Sequence, residues 1–159
     1  MKGTFHVETL VITTMCLLLL ASTVTANAAD MKNRNSESGT PITLTVNNTV
    51  IPAVLNETAA ARDLVSRLPY TICLNRYATD FCGVMSDPLR YEQQDIQVGW
   101  LDGDLSFSPN GDYFVIFFGG QETSESGGDQ CILGKVNAPL TVIQSLSDGA
   151  IDVRIDLAQ

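Results

Sequence analysis

Histidine limits the chemistry before any other residue does. The chain carries one, His6, inside an N-terminal stretch that reads as a removable leader. A mature chain without it assembles neither a Ser-His-Asp nor a Cys-His relay, and the usual imidazole zinc sites are closed to it. Carboxylate acid–base chemistry stays open, with Asp102, Asp104 and Asp112 as its candidates. Asp102-Gly103-Asp104 offers oxygen ligands to calcium, but the EF-hand pattern fails. Counted from Asp102, Phe107 stands where that loop needs glycine and Tyr113 where it needs glutamate. Aspartate and glycine are turn formers, so this triplet and Asn110-Gly111-Asp112 read as hairpin turns with solvated carboxylates. Gly119-Gly120 and Gly127-Gly128 lack the strand-glycine-helix context of a phosphate loop. They read as hinges of a mobile polar loop, Gly119 to Asp129.

Arginine beside aromatic groups is the remaining constellation. Arg76 and Arg90 flank an irregular stretch holding Tyr77, Phe81, Met85 and Tyr91, with Trp100 beyond it. A guanidinium among aromatic and thioether groups suits a carboxylate or a peptide. The same residues equally fit an apolar plug at one end of a barrel with the arginines lying over it. The candidate cleft is therefore Arg76, Phe81, Met85, Arg90, Tyr91 and Trp100, with no catalytic residue, metal ligand or cofactor assigned.

Short strands must position these groups. Ile42, Leu44 and Val46 alternate with Thr43 and Thr45, the period of a half-buried strand. Asn47-Asn48 suits a tight turn at positive φ, and the return strand carries Pro52, which cannot donate to a ladder and predicts an edge or bulge. Asn56 is the expected N-cap of a helix that Pro69 stops after Leu68. Ala60, Ala61, Leu64, Val65 and Leu68 line its apolar face, and Asp63 and Arg67 pair across one turn. Strands follow at Tyr70 to Leu74, Ile96 to Leu101, Leu105 to Phe107, Tyr113 to Phe118, Cys131 to Val136 and Ile151 to Leu157. A short helix, Ala138 to Leu146, is capped by Asn137 and tolerates Pro139 in its first turn. Many short strands with two helices predict a mainly β fold, a closed or nearly closed barrel.

Lys2, the apolar run Thr9 to Ala21, and Ala26-Asn27-Ala28 predict a signal peptide cut after Ala28. A cut after Ala26 would put Val24 at a position that wants a small residue. The alternative is an uncleaved anchor, because Thr9 to Ala26 approaches the roughly 20 residues of a span. Residues 29–40 then form a flexible tether, and residues 41–159 one domain. The expected location is periplasmic or extracellular. A net charge of −9 with dispersed acidic residues disfavours nucleic acid and anionic membrane as partners, and leaves oligomeric state open. Cys73, Cys82 and Cys131 remain after processing, an odd number. Cys73 and Cys131 read as small core residues, and no CxxC pair supports thioredoxin-like exchange. Asn47-Asn48-Thr49 and Asn56-Glu57-Thr58 fit the glycosylation pattern.

The order of several blocks resembles the bacterial cyclophilin-like domain family. They are Val46-Asn47-Asn48-Thr49, Ala53-Val54-Leu55-Asn56 with Thr58-Ala59-Ala60, Leu68-Pro69, Gly99-Trp100, Gly103-Asp104-Leu105, Phe114 to Gly119 and Leu133-Gly134-Lys135. The resemblance spans Ile42 to Leu157 and implies a β-barrel closed by helices. It does not carry isomerase activity, because the Phe-His-Arg strand and the Gln-Gly-Gly-Asp segment of true cyclophilins are both missing. Gly119-Gly120-Gln121 holds similar residues in another order. The expected function is an exported, non-catalytic binding or accessory module for a peptide or small ligand. The alternatives are a divergent peptidyl-prolyl isomerase that uses Arg76 or Arg90, and an accessory domain of a redox or flavin partner.

Overall fold

The computed structural model describes residues 39–159; the leader and most of the tether lie outside the described residues. Strand β1 (Thr40–Val46) buries Ile42, Leu44 and Val46 and turns back into β2 (Thr49–Leu55) with Val46 opposite Thr49. Of the two turn residues, Asn47 enters the left-handed region, at φ 51°. The Pro52 carbonyl accepts from Asn137 N at 2.8 Å, on the side away from β1. A strand residue's N–H and C=O point the same way, so the missing donor faces Asn137, just beyond the end of the β2–β8 ladder at Ala53. That is how a proline sits in a closed sheet.

Helix α1 (Ala59–Ser66) starts later than the sequence suggests. Its cap is Thr58, whose side chain accepts from Ala61 N. Asn56 instead lies buried before the helix: its Oδ1 accepts from Thr58 N and Oγ1, and its Nδ2 donates to Ile132 O. Such a side chain is no glycosylation acceptor in the folded chain. Ala60, Ala61 and Leu64 enter the core, Asp63 and Arg67 pair as expected, and a cis Leu68–Pro69 bond follows.

The remaining strands are β3 (Tyr70–Arg76), β4 (Asp80–Val84), β5 (Ile96–Val98), β6 (Asp104–Ser108), β7 (Tyr113–Phe117), β8 (Asp129–Val136) and β9 (Ile151–Leu157). Their order is β2-β1-β9-β3-β4-β7-β6-β8-β5, and an additional β2–β8 pairing closes eight of them into an antiparallel barrel. β5 pairs with the first half of β8 and β2 with the second. A register shift between Leu105 and Ser106 bends the β6–β8 pair. Helix α2 is only Leu140–Gln144, with Pro139 at its cap position and no capping side chain; Asn137 ties back to Pro52 instead.

Phe81, Leu105, Phe107, Phe114, Ile116, Cys131 and Leu133 fill the interior. Ala60, Ala61, Leu64 and Ile143 from the helices join the same cluster, which from outside a closed sheet means entering at its mouths. Cys73 is not a core residue: it lies at an outward position of β3 between buried Ile72 and Leu74. All three described cysteines are free.

Candidate functional site

Strand β7 locates the site. In a barrel wall, alternate residues face solvent, yet Val115 and Phe117 are as buried as their inward neighbours Phe114 and Ile116. They lie outside the main core cluster, so something covers them on the outer face. The cover is Trp100, whose ring stacks on Phe117 at 4.1 Å between centroids and 6° between planes. Its Nε1 donates to Gly119 O at 3.0 Å.

The segment after Gly119 packs against Trp100. It contains a 3-10 helix, Gln121–Ser126, entered through Gly120 at φ 84°. Gln121 N donates to Asp102 Oδ1, and Asp102 N donates to Gln121 Oε1. Gly127 lies so close to the indole that a Cβ there would come within 2.0 Å of it. Asp102 is thus a clamp rather than a solvated turn residue. Asp104 is buried and its Oδ2 accepts from Leu101 N. The Asn110 turn does stand at the surface, with Asp112 at φ 57°.

Between this cover and strand β4 lies a cleft of about 330 Å³. Asp80 and Cys82 of β4 form one wall, Tyr113, Val115 and Phe117 of β7 the floor, and Trp100 with Gly127 and Gly128 the overhang. Ser108, Asn110, Asp129 and Gln130 form the far wall. That wall is tied together: Ser108 Oγ donates to Asp129 O, Ser106 Oγ to Gln130 Oε1, and Asn110 Nδ2 to Asp129 Oδ2. The lining includes two carboxylates and neither lysine nor arginine.

Burial holds the Asp80 carboxyl above its ordinary value of 3.8, opposed in part by the hydrogen bond from the Thr79 hydroxyl. Burial and the Asp80 charge push the Cys82 thiol up to about 11. Cys131 rises to about 12 through burial and then the Asp95 charge, with a Thr58 hydrogen bond opposing. Neither thiol is a nucleophile at neutral pH. A carboxyl whose pKa is raised by folding favours the folded state below its unfolded value, and this contribution is lost as pH rises through the folded value. Asp80→Asn is therefore expected to melt above wild type at neutral pH, with the gap closing as pH falls into the carboxylate range. Thermal unfolding followed by circular dichroism across that range checks it; a lower Tm at neutral pH would contradict it.

The six residues singled out from sequence do not share one cleft. Arg76 and Phe81 do meet: the guanidinium lies 5.3 Å from the Phe81 ring centroid and 4.7 Å from that of Phe118. Its Nη1 donates to Gln144 O and Ser147 O, so it closes the end of α2. Phe81 and Met85 are core. Tyr91 is exposed, its ring 6.0 Å from Phe107. Arg90 is exposed, and its backbone N donates to Asp63 Oδ2 near α1. Trp100 alone of the six lines the outer cleft. Asp80, Cys82, Val115, Phe117 and Asp129 escaped the sequence reading; the doubly apolar run of β7 was their one signal. No group of three or more metal-ligating side chains occurs among the described residues.

The sequence profile of the cyclophilin-like family matches residues 44–156. The chain belongs to the cyclophilin-like family. Among solved structures it is similar to the solution structure of a hypothetical protein from Archaeoglobus fulgidus, at 14% identity and a TM-score of 0.59. That match covers 76% of this chain and 95% of the other, and at such identity it speaks to the cyclophilin-like barrel alone. No curated protein matches the chain.

Proposed function

We propose that this cyclophilin-like protein is an exported, non-catalytic binding module whose ligand occupies the outer cleft between β4 and the Trp100 overhang. The cleft itself carries the proposal: a concave, aromatic-floored surface with a few polar groups on its walls, the usual composition of a small-ligand site. Arg76 supports the non-catalytic part, since its guanidinium is stacked on two rings and spent on two carbonyls. A substrate amide would have to displace all of these. Export rests on the leader reading of residues 1–28, and a mature N-terminus at Ala29 in the mass of the secreted protein is its test.

A prolyl-peptide isomerisation assay tests the absence of catalysis. The expected result is the spontaneous rate, unchanged in Arg90→Ala, while Arg76→Ala lowers the melting temperature instead. Acceleration that disappears in either variant would make the protein an isomerase and overturn the proposal.

A further inference from the structure

Resting on that reading, we infer that the outer cleft takes a small organic cation, an ammonium group on an apolar or aromatic body. The ammonium sits against Asp80 and the body lies along Val115 and the edge of the stacked Phe117–Trp100 pair. Cross-strand pairing places Asp80 directly opposite Phe117, and Phe117 carries the Trp100 indole. A carboxylate beside apolar and aromatic surface offers the ammonium an ion pair and its organic body a dry contact.

Asp80 is poorly compensated without such a ligand. Its side chain receives one hydrogen bond, from its neighbour Thr79, and joins no ion pair among the described residues. Cys82, the next outward residue of β4, adds no charge because its thiol stays protonated. Asp129 lies three strands away in the order β4-β7-β6-β8, roughly 14 Å at the usual strand spacing. One cation cannot engage both carboxylates. Asp129 is also already bonded to Asn110, which leaves Asp80 as the anchor and the far wall as a polar rim. An anionic ligand would meet two carboxylates and no cation, so the charge of the cleft selects against it.

Trp100 is the chain's only tryptophan and overhangs the cleft, so its fluorescence reads occupancy without a label. The experiment titrates the purified protein with 2-phenylethylammonium, neutral 2-phenylethanol and anionic 3-phenylpropanoate. The ammonium is expected to give a saturable change with an affinity about tenfold above the alcohol, one partly buried ion pair's worth, and the anion to bind weakest. Asp80→Asn should remove that preference, whereas Asp129→Asn should keep most of it. Should Asp80→Asn not fold, salt dependence of the wild type replaces it: the ammonium's affinity falls with added salt and the alcohol's does not. Equal affinities for all three probes would overturn the cation assignment and leave the cleft as a binding site. Silence of Trp100 toward all three would remove both.

Discussion

Gly134→Val is expected to abolish the closed barrel. A Cβ at Gly134 would come within 2.1 Å of Val54 O and 2.8 Å of Leu55 Cα, both backbone atoms of β2 that cannot swing aside. Three residue pairs join β2 to β8 here, Ala53 with Val136, Val54 with Lys135 and Leu55 with Gly134. Asn56 N adds a bond to Leu133 O at 2.7 Å. Forcing this seam apart unpairs backbone groups and wets Leu55 and Leu133, both fully buried. The expected loss is at least about 4 kcal/mol, a large share of the stability of a domain this size. Chemical denaturation checks it, with Gly149→Ala as the near-neutral comparison because only the Ser147 hydroxyl lies as near as 4.0 Å. A Gly134→Val protein that unfolds cooperatively within 1 kcal/mol of wild type, on the order of an ordinary surface change, would mean that the seam is not closed.

Asn56→Ala should produce the next largest effect, a loss of about 2–4 kcal/mol. The side chain is 7% exposed and joins three elements with one amide group. It donates 2.6 Å to Ile132 O of β8, and accepts from Thr58 N at 3.0 Å and Thr58 Oγ1 at 2.7 Å. Thr58 in turn caps α1. Alanine therefore loosens the end of β2, the β8 seam and the helix start together, and leaves buried polar atoms without this partner. Equilibrium unfolding in urea measures it, and Asn48→Ala in the exposed hairpin, outside the left-handed region, should move little by comparison. A change of less than about 0.5 kcal/mol at Asn56 would show that the network carries no net stability.

Local periodicity made most of the barrel legible. The alternation in β1 and β9, the Asn47 turn and the proline after α1 each report a backbone state that neighbours in sequence decide. Asn56 shows where that stops. As a good cap residue in the right place it reads as the helix start, but Ile132 claims its amide from seventy-six positions away, and Thr58 becomes the cap. Cys73 looked like core because strand propensity says nothing about which face is wet; its register against Asp152 of β9 turns it outward. Asp104 and Asp102 looked like solvated turn residues because their partners, Leu101 N and Gln121, depend on how the turn folds.

The site was less visible for the same reason. An aromatic-rich segment with two arginines suggests a cleft, but Arg76 lies over rings at the end of α2 while Phe81 points inward. The outer cleft draws on four separate strands and the loops beside them, with only alternate residues contributed by β4 and β7. Only β7 betrayed it, by being apolar at positions that a barrel wall ordinarily gives to solvent.

Mapping the binding surface tests the central claim most directly. Backbone amide shifts recorded while 2-phenylethylammonium is added should change at Asp80 to Cys82, Tyr113 to Phe117 and Gly127 to Gln130, together with the Trp100 indole. Shifts confined to Arg76, Phe118 and Gln144, or scattered without a focus, would contradict an outer-cleft binding module.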